Sequence, residues 1–155
     1  MPKFSIIIPL YNKANHIAST LESVFNQTFK DFEIIVVDDG STDQSAHIVE
    51  SIHNVKIKLF SIDNQGVSHA RNYGCNQAQG ELISFLDADD LWESNHLEQL
   101  LFLLEKHPNC GLYCMAYKKQ FNHISIPAVF NNIPKTNNWS GVVANFFESS
   151  LIDCI

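Results

Sequence analysis

The chain has 155 residues, with 17 Asp and Glu against 10 Lys and Arg, a formal net charge of −7, and 45 % hydrophobic residues. That is enough for one domain with its own core, and the acidic balance argues against a nucleic-acid partner held by a basic surface. No stretch reaches the ~18 apolar residues a membrane-spanning helix requires, and Met1-Pro2-Lys3 leads into the first apolar run with no signal peptide, so a cytoplasmic protein is expected.

The first predicted strand is Phe4-Ser5-Ile6-Ile7-Ile8-Pro9, running into Leu10-Tyr11-Asn12. Ile17, Leu21, Val24 and Phe25 then fall on one helical face, with Asn15 as a candidate cap. The second strand, Phe32-Glu33-Ile34-Ile35-Val36-Val37, runs into Asp38-Asp39-Gly40-Ser41. Ser41 or Thr42 would cap the next helix, which turns Ala46, Val49 and Ile52 inward. Lys56 to Ser61 alternates like a strand with one wetter face. Val67, Ala70, Gly74 and Ala78 make a small-residue helical face, ending near Gly80. Leu82-Ile83-Ser84-Phe85-Leu86 is a further strand, entering Asp87-Ala88-Asp89-Asp90. Leu97, Leu100, Leu101 and Leu104 mark a helix stopped by Pro108, and Gly111 to Tyr117 reads as a fifth strand. Asn122 to Asn138 reads as a long loop, after which Val143, Phe146, Phe147 and Leu151 restore an apolar period.

Continuous apolar runs of this kind are buried parallel strands, and strand-helix alternation predicts an α/β fold with right-handed crossovers. Ligands bind outside the carboxyl ends of such a sheet. Tyr11, Asn12, Asp38, Asp39, Asp87 and Asp89 should therefore share one cleft. Asp-Ala-Asp at residues 87–89 can offer oxygens to a hard cation, Mg2+ or Mn2+, and equally reads as a solvated acidic turn. Asp38-Asp39-Gly40-Ser41 can accept a base N–H, or serve as a plain strand-turn-helix junction. Gly66 permits close backbone approach, and Arg71 is the strong cation expected near the cleft, suited to phosphate or to an aspartate. Cys75, Cys110, Cys114 and Cys154 form no metal-ligand pattern and read as free thiols.

Pro9-Leu10-Tyr11-Asn12, Val37 to Asp43, Asn64 to Asn72 and Leu86 to Asp90, in that order, resemble the motifs of family 2 glycosyltransferases, which are inverting enzymes of the GT-A fold. The resemblance is strong over residues 3 to 117. It implies a Rossmann-like GT-A sheet and a nucleotide-diphosphate sugar donor, most often a UDP-sugar, bound with Mn2+ or Mg2+. By the same resemblance Pro9 and Tyr11 line the base pocket, Asp39 bonds the uracil imide and Asp38 supports its turn. Asn12, Gly66 and Arg71 lie near the nucleotide, Asp87 reaches the ribose or the metal shell, and Asp89 contacts the metal. The acceptor is a glycan or lipid-linked hydroxyl, in polysaccharide assembly at the inner membrane face. No residue here matches the family's general base; Glu148 and Asp153 are the late acids. The expected organisation is one GT-A domain, residues 1–155, incomplete on its acceptor side. Residues 3–117 form the nucleotide core, and 118–155 a loop with the start of the acceptor region. Two truncated chains could pair through Phe146 and Phe147. Competing readings are a non-catalytic nucleotide-sugar binding module and a phosphoryl-receiver domain. The receiver reading takes Asp38-Asp39 as its acidic pair, but that pair follows the second strand rather than the first.

Overall fold

Two strands are buried along their whole length and two are not, and that difference fixes the sheet. In the computed structural model, which describes residues 1–115, 118–121 and 124–127, β1 (Phe4–Leu10) and β2 (Phe32–Asp39) have every residue buried. β3 (Ile57–Ile62) and β4 (Leu82–Phe85) are only partly covered. The sheet order is β3-β2-β1-β4, all pairs parallel, so the fully buried runs take the centre and the partly covered ones the edges. β4 shows this best: Ser84 is buried while Ile83 and Phe85 on either side are exposed. Pro9 lies in a central strand, but beyond the last β1–β4 pairing position, Ile7↔Phe85.

The helices cover both faces. Ile7, Ile35 and Val37 cluster with Ala70 of α3 (Val67–Gln77), with Phe60, Ile62 and Tyr73 packed around them. Gly74 lets α3 come this close: a Cβ there would stand 2.5 Å from Ile7 Cγ2. The alternate residues Ile6, Ile8, Ile34 and Val36 point to the opposite face and are equally buried. The chain steps β1→β2→β3 in one direction and returns to β4 in the other. Right-handed crossovers therefore put α1 (Ile17–Phe25) and α2 (Ser45–Ser51) on the face opposite α3.

Several local expectations are corrected. The residue before α1 is His16, without a side-chain cap, because Asn15 lies a residue too early. The residue before α2 is Gln44, and Ser41 and Thr42 spend their polar groups on Asn12 instead. α3 stops at Gln77, with Ala78 already extended, so Gly80 is a crossing point rather than a helix end. Val67 is half exposed rather than part of a packed face. Residues 111–115 form no strand. The last strands among the described residues are β5 (Lys118–Phe121) and β6 (Ile124–Pro127), which pair antiparallel as a two-stranded sheet of their own, so part of the presumed loop is strand. Local contacts divide the chain into Met1–Leu97 and Glu98–Ile155. α4 (His96–Lys106) has Glu98 in its first turn and Lys106 in its last, matching the helix dipole. Val143, Phe146, Phe147, Glu148, Leu151, Asp153 and Cys154, and with them the proposed dimer face, lie outside the described residues.

Candidate functional site

The β1–β2 register sets Leu10 beside Asp38, and β4 ends level with Ile7. Tyr11, Asn12, Asp38, Asp39, Asp87 and Asp89 thus meet at the carboxyl edge, as expected from the strand ends. The sheet reverses direction at β1, so the crevice between β1 and β4 is the topological switch point where open α/β sheets hold ligands.

The loop after β1 is moulded onto the loop after β2. Asn12 adopts a left-handed conformation, φ 50°, which an asparagine tolerates better than most residues. Its Oδ1 accepts the Thr42 amide at 2.8 Å, the Thr42 hydroxyl at 3.3 Å and the Asp43 amide at 3.3 Å. In return the Asn12 amide donates to Ser41 Oγ at 3.0 Å, the Lys13 amide to Ser45 Oγ at 2.7 Å and the Ala14 amide to Asp43 Oδ2 at 3.1 Å. Asp43 Oδ1 also accepts the amide and hydroxyl of Ser45, and that hydroxyl bond pulls the Asp43 carboxyl below its ordinary pKa.

Asp38 and Asp39 differ in their tasks. Asp38 Oδ1 accepts the Ser41 amide at 3.2 Å and steadies the turn at Gly40, φ 71°. Asp39 points the other way, to the loop before α3: its two oxygens accept the Gln65 amide at 2.9 Å and the Gly66 amide at 2.8 Å. Asn64 Nδ2 closes the junction on the Asp39 carbonyl at 2.9 Å. Both carboxylates are buried. Gly66 has φ 91°, a conformation that favours glycine, and presents its amide to Asp39.

The loop after β4 hangs from α1. Buried Thr20 donates from its hydroxyl to the Ala88 carbonyl at 2.9 Å, between the two aspartates. Ser23 Oγ accepts the Trp92 amide at 3.2 Å. Gln27, fully buried, donates to the Glu93 carbonyl at 2.8 Å and accepts the Leu97 amide at 3.1 Å. Held this way, Asp87 and Asp89 each meet a different cation. Arg71 Nη2 of α3 reaches Asp87 Oδ1 at 2.6 Å, and Lys13 Nζ reaches Asp89 Oδ2 at 2.6 Å. The Asp87 and Asp89 side chains are 48 % and 41 % exposed, so each can still turn an oxygen to a ligand. The Lys13 bond outweighs partial desolvation and lowers the Asp89 pKa. Arg71 Nε is buried without a hydrogen-bond partner among the described residues. Trp92 stacks on His96 with ring centroids 4.2 Å apart; burial pushes the imidazole down to about 4, so it carries no charge at neutral pH.

Among the described residues no three Asp, Glu, His or Cys side chains converge as a complete metal cage. The donor set nevertheless fits Mg2+ or Mn2+ of the kind that takes one or two carboxylates from protein and the rest from phosphates and water. Sequence reading missed Lys13, Thr20, Gln27 and Ser45. Their partners lie 32 to 76 residues away, and no local pattern announces such a pairing.

A family model described as glycosyl transferase family 2 matches residues 5–141. An uncharacterized glycosyltransferase of Haemophilus influenzae is 43 % identical over 111 residues, 69 % of this chain and 44 % of that protein. The minor teichoic acid biosynthesis protein GgaA of Bacillus subtilis is 40 % identical over 124 residues, 74 % of this chain and 28 % of that protein. The crystal structure of Staphylococcus aureus TarS 1-349 in complex with UDP-GlcNAc superposes with a TM-score of 0.68 at 32 % identity, over 81 % of this chain and 37 % of that one. The mannosyltransferase PcManGT of Pyrobaculum calidifontis, in complex with GDP-Man and Mn2+, gives 0.62 at 30 % identity, over 66 % and 32 %. The chain spans less than half the length of each of these relatives.

Proposed function

Because the chain belongs to glycosyl transferase family 2, we propose that it forms the donor-binding part of an enzyme that moves a sugar from a UDP-sugar to a glycan or lipid-linked hydroxyl, with inversion and with a divalent metal. The observation that carries this reading is the meeting of three loops at the β1–β4 switch point, with two half-exposed carboxylates each held by one cation. TarS in complex with UDP-GlcNAc and PcManGT in complex with GDP-Man and Mn2+ support the ligand class. The receiver-domain alternative gives way to the family membership.

In this reading Tyr11, 48 % exposed, offers its ring to the base, beside Pro9 and the Asn12 turn. Asp39 bonds the base imide with lone pairs left over from the Gln65 and Gly66 amides, which hold its carboxylate in one orientation. Asp38 stiffens the Gly40 turn beneath it. Arg71 orients Asp87 toward the ribose or the metal shell and keeps its partly exposed guanidinium near the nucleotide. Asp89, with Asp87, would hold Mn2+ or Mg2+. When bound, such a metal neutralises charge on the departing diphosphate as a Lewis acid. An acceptor hydroxyl attacking the anomeric carbon from the opposite face requires a general base, which no described residue is assigned to supply.

Residues 1–155 are read as one GT-A domain, with the nucleotide core in 3–117 and the beginning of the acceptor side in 118–155. The working location is the cytoplasmic face of a membrane; no described helix is long and apolar enough to cross one. Donor binding without turnover is the narrower form of the proposal. A thermal-shift series with UDP, GDP and CDP, with and without Mn2+, tests it, because a ligand that binds only the folded state raises its stability. UDP with Mn2+ should give the largest shift, and Asp89→Ala should remove the metal-dependent part. Equal shifts with and without metal would break the role of Asp89, and no shift with any nucleotide would overturn the proposal.

A further inference from the structure

Two cations sit in the cleft, and they are anchored differently. Arg71 rises from the middle of α3 and is partly buried. Lys13 comes from the loop after β1 and crosses the switch point to Asp89, 76 residues away in sequence, with its side chain 39 % exposed. Its backbone is fixed by its own amide bond to Ser45, flanked by those of Asn12 to Ser41 and Ala14 to Asp43. Three consecutive amides bound to the loop after β2 and the start of α2 are more than a surface ion pair needs. They hold the Lys13 Cα where a four-carbon stem delivers an ammonium to one carboxylate oxygen. That oxygen belongs to the residue assigned above to the divalent cation. A carboxylate oxygen 2.6 Å from an ammonium cannot also coordinate a hard cation at full strength, since the two positive charges repel at that range.

We propose that Lys13 is a displaceable counter-ion of the donor site: it occupies Asp89 while the site is empty, yields that oxygen to the divalent cation, and then pairs with the diphosphate the cation brings. This rests on the metal-assisted donor reading and adds to it a residue and a sequence of partners. Lysine suits the exchange. Its ammonium is a compact point charge on a flexible stem, able to trade a carboxylate for a phosphate without the fixed fork of arginine. The device also keeps Asp89 from facing the neighbouring Asp87 and Asp90 charges without a counter-ion before donor arrives. It makes metal and nucleotide bind best together, because metal alone must evict Lys13 without gaining a phosphate for it.

Lys13→Met tests this in the 155-residue chain, with Lys13→Gln as a second neutral variant. Both leave the Ser45 bond intact, because that bond uses the backbone amide. The free Mn2+ signal in electron paramagnetic resonance, read without nucleotide, gives metal affinity. Calorimetry with UDP at saturating Mn2+ gives nucleotide affinity. The expected result is opposite in sign: Mn2+ alone binds the variants at least about fivefold tighter, while UDP binds them about tenfold weaker. A merely structural role for Lys13 would weaken both or neither. Unchanged or weaker Mn2+ binding, or undiminished UDP binding, overturns the inference while wild-type UDP binding with Mn2+ leaves the donor reading standing. Absence of Mn2+ uptake by wild type and variants alike, with UDP present, overturns both.

Discussion

β2 carries buried carboxylates at both ends, Glu33 near the amino end and Asp38 and Asp39 at the carboxyl end, and the two ends of the sheet use such groups differently. At the amino end Glu33 is saturated: it takes the Ser5 hydroxyl at 2.6 Å, the Gln79 amide at 2.7 Å and Lys58 Nζ at 2.8 Å. The Ser5 hydroxyl in turn accepts the Gly80 amide at 2.8 Å. This ties β1, β2, β3 and the crossing into β4 with one carboxylate. Burial by itself raises the Glu33 pKa, but the bonds from Lys58, Ser5 and Gln79 outweigh it and the net shift is downward. At the carboxyl end, Asp38 and Asp39 brace turns, while Asp87 and Asp89 stay half exposed on single cations. The same chemical group is a rivet where every partner is protein and, on the proposed reading, a receptor where partners are left to be supplied. Saturation and exposure, not acidity, separate the two.

The comparison breaks most sharply at Gly80. A Cβ there would stand 2.5 Å from the Ser5 nitrogen and 2.7 Å from the Phe4 carbonyl carbon, and backbone in a central strand has nowhere to go. Gly80→Ala should cost about 3 kcal/mol of stability, read as a lowered urea midpoint. Any protein that still folds should keep its nucleotide affinity, because the damage lies at the far end of the sheet. If nucleotide binding fell in step with stability, the two ends would not be independent.

Glu33→Ala comes next, at about 2 kcal/mol, since it leaves the Ser5 hydroxyl and the Gln79 amide without their acceptor and takes the ion-pair partner from Lys58. Its pH behaviour sharpens the case. The folded Glu33 pKa lies below the ordinary 4.5, so its stabilisation is complete above that pH and disappears as pH falls through the folded value. His96 acts earlier. The unfolded chain gains a proton near 6.5 and the folded chain only at about 4, so stability declines between those values on acidification. Urea midpoints measured from pH 7 to 3 should therefore fall in two stages. Glu33→Gln should flatten the lower stage and His96→Phe the upper.

The smallest effect belongs to the receptor end. Asn12→Ala removes three acceptor contacts from an exposed turn and places alanine at φ 50°, which should cost about 1 kcal/mol. UDP binding should suffer more than stability, since Asn12 moulds the loop that carries Tyr11 and Lys13. Calorimetry beside a melting curve separates the two.

Much of this architecture was legible in the letters, because its signals are local. Apolar runs ending in Tyr11-Asn12, Asp38-Asp39 and Asp87-Ala88-Asp89 mark strands and what their ends carry, and the parallel sheet gathers those ends by topology alone. Small residues at Ala70 and Gly74 announced a helix pressed against the sheet. The rest depends on pairings across the fold. Ser41 and Thr42 look like helix caps, but a left-handed Asn12 some 29 or 30 residues earlier takes their bonds. Glu33 looks like an intruder in an apolar strand until Ser5, Lys58 and Gln79 are seen around it. Gly111 to Tyr117 has strand-like composition, yet residues 111–115 take no place in a ladder, because composition does not provide a neighbour.

The sheet order has a consequence for how the molecule is made. β1 leaves the ribosome ahead of the other three parallel strands and finds β2 about thirty residues later, but its opposite edge must wait for β4, paired at Phe4↔Leu82. During synthesis the future centre of the sheet is therefore a temporary border, apolar and open, until β4 has followed. A nascent chain halted between β3 and β4 should be the one that chaperones hold most tightly.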